Sequence, residues 1–208
     1  MSKFKQQLCP VWLKTITIIM GFLSLTGGVA LVIFGAAASL DVKWGMVVFG
    51  IILFICGIVG INFHIILDRI YKKKYMEEIN QKITKLSNNE IELSVSDFLR
   101  MRNQTFGGQG SPQYVKDKQF PGVYILFNKT KNMYYVGQAQ YIFDRVNAHF
   151  TGKGNGDVYA DYKYGDEFTI KMISLKKSGY RSLNELERHT IMTYNAFSKG
   201  YNKTRGNF

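Results

Sequence analysis

Gly122-Val123-Tyr124-Ile125-Leu126-Phe127 and Met133-Tyr134-Tyr135-Val136-Gly137 are two short apolar and aromatic runs separated by a polar stretch that opens Asn128-Lys129-Thr130-Lys131. In the first run Val123, Ile125 and Phe127 alternate with Tyr124 and Leu126, the period-2 signature of a strand with one core face. The polar stretch suits a turn, so the second run is the return strand of a hairpin. A four-residue turn over Asn128–Lys131 pairs Phe127 with Asn132 and sets Tyr124 directly across from Tyr135, their Cβ atoms about 5 Å apart. An aromatic cross-strand pair is ordinary in hairpins; this one gains its weight from residues further along the chain.

The segment from Tyr141 to Phe150 reads as a helix that places Arg145 and His149 on one face at i and i+4, with Phe143 and Phe150 marking a buried side. Phe168 to Leu175 alternates again, a third strand. Ser182 with Glu185 fits a capping box opening a last helix. On that helix Leu183, Thr190, Ile191 and Tyr194 lie three to seven positions from Glu187, which therefore interrupts a largely inward face. A buried carboxylate is costly unless paired with a cation or a metal.

Taken in order, Gly122-Val123-Tyr124, Tyr135-Val136-Gly137, Arg145, Glu187-Arg188-His189-Thr190-Ile191 and Gly200-Tyr201-Asn202-Lys203-Thr204-Arg205-Gly206 resemble the GIY-YIG endonuclease superfamily over roughly Pro121 to Gly206. The departures are valine for isoleucine in both triplets, Gln138 where some relatives have lysine, and Asn207 where a second glycine often stands. The resemblance implies an α+β fold, a small antiparallel three-stranded sheet flanked by helices, and one divalent ion, Mg2+ or Mn2+. It implies that Glu187 holds the metal, Tyr124 or Tyr135 positions and deprotonates the attacking water, and Arg145 stabilises phosphate charge. His149 is then a helper as proton carrier or phosphate contact, and Asn202 orients the loop and the metal shell.

Two uncharged apolar stretches precede this region, Thr15–Leu40 and Trp44–Leu67, with Asp41-Val42-Lys43 between them. About 20 apolar residues suffice to cross hydrocarbon, so a transmembrane hairpin of helices near 15–40 and 44–67 is expected. Ser24 with Gly28 and Cys56 with Gly60, at four-residue spacing, allow close helix approach. Lys3, Lys5 and Lys14 before the hairpin, and Arg69, Lys72, Lys73 and Lys74 after it, place both termini and the C-terminal domain on the cytoplasmic side of the inner membrane. Cys9 and Cys56 offer neither a disulfide framework nor metal-ligand spacing; Cys9 is a candidate lipidation site. Ile79, Ile83 and Leu86 give a helical connector with a seam suited to a short coiled coil. Gly107–Pro112 reads as a flexible break. The expected organisation is therefore a hairpin over 1–68, a basic connector over 69–112 and a nuclease domain over 113–208, with homo-oligomers through the hairpin or connector.

Of 208 residues, 27 are basic and 15 acidic, a net charge of +12. That excess favours polyanionic partners, DNA or an anionic lipid bilayer. From Phe120 onward 13 basic residues face 7 acidic ones, which suits backbone contact carrying no sequence information. Gln138, Lys153, Lys163, Lys203 and Arg205 are the candidate DNA contacts. The sequence points to a membrane-held DNA endonuclease of low specificity acting on incoming phage or plasmid DNA. A catalytically silent tether that binds DNA and an effector or toxin nuclease are the other readings.

Overall fold

The structure, a computed structural model, describes residues 10–37, 40–106 and 113–206. Lys3, Lys5, Cys9, the 107–112 break and Asn207 lie outside the described residues. The chain divides into two compact units, Met1–Glu78 and Ile79–Phe208.

The first unit is built on helix α1 (Val11–Ala37) and the beginning of helix α2 (Leu40–Asn88). Two helices, Val11–Phe34 and Trp44–Asn88, are long and apolar enough to cross a membrane. Many of their large side chains, among them Trp12, Phe22, Leu23, Phe34, Trp44 and Phe49, are exposed. Glycine sets the seam between α1 and α2. A Cβ on Gly28 would lie 2.7 Å from the Gly50 carbonyl oxygen, and one on Gly57 2.6 Å from Leu25 Cγ. Backbones this close gain van der Waals contact along the seam. Gly28 and Gly60 join the seam as their spacing suggests, and Ser24 Oγ donates to the Leu53 carbonyl at 2.7 Å. Cys56 instead is exposed. Lys14 and Asp68 form an ion pair of 2.7 Å between the two helices.

The second unit begins inside α2. It continues through β1 (Leu93–Ser94), α3 (Val95–Arg102), the β2–β3 ribbon (Thr105–Phe106 with Gln113–Tyr114), β4 (Gly122–Asn128), β5 (Met133–Ala139), α4 (Ile142–Phe150), α5 (Gly156–Lys163), β6 (Phe168–Ser174), α6 (Leu175–Ser178) and α7 (Leu183–Thr193). The main sheet is antiparallel in the order β1-β6-β4-β5. It has four strands rather than the three expected, because Leu93 and Ser94 pair with Ile170 and Thr169. A strand of two residues is too short to show an alternation in sequence.

Strand β4 lies between two others and is covered on both faces, not one: Val123, Tyr124, Ile125 and Leu126 are all buried. Tyr124 and Leu126 pack with Ile142, Phe143, Val146 and Phe150 of α4, Val158 of α5 and Phe98 of α3. Helix α7 covers the opposite face, where Gln138 bonds Asn184 and Tyr134 packs on Tyr194 with ring centroids 4.8 Å apart.

The hairpin register also differs from the expectation. The loop is Lys129–Asn132, so Asn128 pairs with Met133, Tyr124 sits opposite Gly137 and Tyr135 opposite Leu126. The turn forms one residue later because Asn128 Oδ1 accepts the Lys131 N–H at 3.0 Å and Asn132 takes a positive φ of 53°, both favoured uses of asparagine in turns.

Ile79 and Ile83 are buried against their own chain, so the expected coiled-coil seam is used within the unit. Thr193 donates to Asn80 and Tyr194 to Ser87, at 3.0 and 2.7 Å, joining α7 to the end of α2. Ser94 caps α3 and accepts the Asp97 N–H at 3.0 Å. Ser182 does precede α7, but its hydroxyl makes no capping bond, so the expected capping box is not formed.

Candidate active site

Tyr124 and Tyr135 project from the same sheet face on neighbouring strands, offset by one diagonal step, with ring centroids 6.1 Å apart. Diagonal neighbours are within reach for aromatic side chains. Gly137, opposite Tyr124, is where that ring lies: a Cβ there would collide with the Tyr124 hydroxyl and sit 2.6 Å from its Cζ. Gly122 is equally constrained, since a Cβ would lie 2.6 Å from the Ile173 carbonyl oxygen and 2.9 Å from Ile142. Each glycine of the two triplets thus clears a path for a neighbour. Val123 and Val136 are fully buried on the α7 side.

Helix α4 delivers Arg145 and His149 to the phenols, as their i,i+4 spacing predicts. His149 is completely buried; its ring centroid is 5.3 Å from that of Tyr124 and 4.8 Å from that of Tyr135. Tyr124 Oη and His149 Nε2 are 2.9 Å apart, and the Asn155 backbone N–H donates to Nδ1 at 2.9 Å. Arg145 interacts electrostatically with both phenols. Burial, and next the proximity of Tyr135, push the Tyr124 phenol well up, while the positive charge of Arg145 opposes that rise. Burial, reinforced by Arg145, pushes His149 down to about 4.

The Gly154–Asn155 contact with this ring is absent from the expectations drawn on sequence. A Cβ on Gly154 would lie 2.6 Å from His149 Nδ1. The density of glycine in Thr151-Gly152-Lys153-Gly154-Asn155-Gly156 is the signal that could have found it.

Asn202 sits at the edge of β5. Its Oδ1 accepts the Val136 N–H at 2.9 Å and its Nδ2 donates to the Val136 carbonyl at 2.7 Å. A carboxamide carries the donor and acceptor of a peptide, so Asn202 stands in for one residue of a missing outer strand. Gly200 lets the backbone come against Tyr134 and Ala196. The Tyr201 hydroxyl joins a network in which Asn128 donates to it at 2.7 Å and it donates to Asp161 at 2.6 Å. Sequence reasoning misses that network too, because its members are spread from 128 to 201.

Glu187 is carried by α7 and is 7% exposed. Tyr124, Tyr135, Arg145 and His149 form one cluster; Glu187 and Asn202 come from α7 and the strand edge. Among the described residues no group of three or more His, Cys, Asp or Glu could hold a metal ion. GIY-YIG nucleases generally use divalent metal ions. A single hard carboxylate fits Mg2+ or Mn2+ of the kind that keeps most of its shell as water and phosphate oxygen.

The remaining candidates lie on the surface. Lys153 and Lys163 are exposed. Lys203 pairs with Asp157 at 3.3 Å, and Arg205 lies 5.3 Å from the Phe197 ring centroid. Gln138 donates to Asn184 at 2.8 Å, which holds it to α7.

No curated protein and no solved structure matches this chain. Residues 120–202 match the family model for the GIY-YIG catalytic domain. The paired phenols, the arginine and histidine of α4 and the glycines that make room for their neighbours all fall inside that span, which is the part of the chain similar to a GIY-YIG catalytic domain.

Proposed function

We propose that the protein is a membrane-anchored, metal-dependent DNA endonuclease of low sequence specificity, acting on incoming phage or plasmid DNA at the inner face of the cytoplasmic membrane. The GIY-YIG domain supports a nuclease function with DNA as partner. The observation that carries the reading is the cluster of Tyr124, Tyr135, Arg145 and His149 on one sheet face. Phosphodiester hydrolysis needs a group to take a proton from water and a cation to meet the charge gathering on phosphorus-bound oxygen. A phenol does the first once ionised, and Arg145, always charged, does the second. A divalent ion at Glu187 would supply further stabilisation of negative charge on the phosphate and the leaving oxygen.

Lys153 and Lys163, with Lys203 and Arg205 released from weak surface contacts, supply phosphate-binding charge without base recognition. Exposed apolar faces on two long helices favour the anchor. Arg69, Lys72, Lys73 and Lys74, exposed beyond the apolar stretch, favour a cytoplasmic location for the nuclease. Anchoring would confine a weakly specific enzyme to DNA crossing the membrane and spare the chromosome.

Plasmid nicking by the detergent-purified chain, with magnesium and with EDTA, is the test. Expected is nicking with magnesium that EDTA abolishes and that Glu187→Ala lacks, while the variant still fractionates with membranes. DNA retardation without nicking would replace this reading with the silent tether.

A further inference from the structure

A cavity of about 130 Å³ lies on the sheet face turned away from the phenols. The strand register builds it. Phe127 stands between Thr169 and Tyr134 in one cross-strand row, and Ile125 faces Lys171 in the next. Tyr194, at the end of α7, borders the cavity beside Tyr134 and is held by the 2.7 Å bond from its hydroxyl to buried Ser87. Glu92 precedes β1 and pairs with Lys171 at 3.3 Å. Lysine is out of place here. Strand β6 has a neighbour on each side, and the same face buries Val123, Ile125, Val136 and Ile173. The Lys171 side chain is only 23% exposed. A desolvated ion pair can often be replaced by apolar residues of like volume without loss of stability, so packing gives no reason for this one. An occupant of the cavity would.

The walls define that occupant. An ion of either sign would meet its own charge beside its partner, which leaves a neutral polar group. The carboxylate has two accepting oxygens and the ammonium three protons to donate, so each keeps capacity after bonding the other. Thr169 first, with help from Lys171 and against burial, holds the Glu92 carboxyl below its usual range, so at neutral pH it only accepts. The ligand edge must therefore carry a donor next to an acceptor. The rings of Phe127, Tyr134 and Tyr194 form the apolar side of the cavity, and aromatic side chains take the flat face of any base. A cavity of about 150 Å³ holds one benzene, so a single six-membered ring fits here and a fused pair does not. Cytosine meets all these conditions: its amino group donates to a carboxylate, and the adjacent ring nitrogen accepts from an ammonium. Uracil and thymine set a carbonyl against the Glu92 acceptor instead.

We propose that this cavity is a cytosine-binding site, in which Glu92 and Lys171 read the edge of the base and Tyr134 and Tyr194 pack against its ring. From Phe120 onward 13 basic residues face 7 acidic ones, which suits a base that carries phosphate: a free cytidine nucleotide, or a cytosine turned out of a strand. The site does not depend on the nuclease reading, and a preference for one base is compatible with cleavage of low specificity.

The test is isothermal titration calorimetry of the full chain in detergent with EDTA. The ligands are cytidine, uridine and adenosine 5′-monophosphates, and short oligomers of dC and of dT. Expected is a preference of about tenfold for cytosine over the other bases, the discrimination a well-made base contact provides. Lys171→Leu should abolish that preference while thermal unfolding stays within a few degrees of the parent. Glu92→Gln is the deciding variant. Its amide donates as well as accepts, so it should bind uridine and cytidine monophosphates equally, whereas damage to the fold alone would weaken both and leave their ratio unchanged. Binding of the monophosphate assigns a free nucleotide, and a preference confined to the oligomers assigns a strand; either supports the site. No cytosine preference in monophosphates or oligomers, equal binding of adenosine monophosphate, or a preference that survives both substitutions overturns it, whether or not the protein cleaves DNA.

Discussion

Replacing Gly137 with alanine adds one methyl group at the point where the two signature strands meet. Its carbon would lie 2.6 Å from Tyr124 Cζ and still closer to the hydroxyl, whereas ordinary carbon contacts begin near 3.5 Å, so the ring must retreat by about 1 Å. Tyr124 is 1% exposed and packed among the side chains of α4, so the movement displaces core. Overpacking of this kind costs about 1–3 kcal/mol. The same retreat stretches the 2.9 Å Tyr124–His149 contact beyond useful hydrogen-bond length. A misplacement of about 1 Å at a reacting group can lower a rate on the order of 100-fold. The assay is paired: thermal unfolding monitored by circular dichroism, and single-turnover nicking of supercoiled plasmid. The variant should melt several degrees lower, stay fully folded at 25 °C and nick about 100-fold more slowly. Cleavage within a few-fold of the parent would show that the Tyr124 ring position is irrelevant to the chemistry.

Acid should unfold the C-terminal unit early. Burial holds His149 and His189 down to about 4, against an ordinary value of about 6.5, so below that value the unfolded chain binds protons that the folded one refuses. The associated stability is present above pH 6.5 and is lost as pH falls toward 4, by up to about 3 kcal/mol for His149 alone. Urea unfolding at a series of pH values checks this, and a flat profile from pH 7 to 4.5 contradicts it. Asn202→Leu removes both hydrogen bonds to Val136; a loss of about 1–3 kcal/mol in chemical denaturation is expected, with deuterium exchange accelerated in β5 before other strands. A fragment of residues 79–208 should be monodisperse by gel filtration. One of residues 113–208 should aggregate, because it lacks Val95, Phe98, Ile79 and Ile83, all buried in the intact unit.

The hairpin, α4, β6 and α7 were legible because each carries a local periodicity, and the phenol, arginine and histidine cluster was legible because its spacing follows from those elements. Register was not. Whether the loop starts at Asn128 or Lys129 depends on one side-chain hydrogen bond from the Lys131 amide to Asn128, and the hydrophobic pattern accommodates either. Strand β1 was invisible because two residues have no period. The burial of both faces of β4 was hidden because Tyr124 counts as polar in an alternation yet lies in the core. The inward seam of Ile79 and Ile83 was correctly periodic, but periodicity does not say whether the covering surface is a second copy or the same chain. The clamp on His149 joins a loop backbone to a ring six positions away, a relation that only the folded geometry expresses.

Because residues on both sides of 107–112 are woven into a single compact body, through the pairing of β1 with β6 and the burial of Phe98 beside Leu126, a protease that nicked the chain there would not liberate the C-terminal segment. The two fragments would stay clasped after the peptide bond was gone. On the proposed function, separating the nuclease from its anchor would require a cut upstream of Ile79, within α2 itself, where a protease must first unwind its substrate.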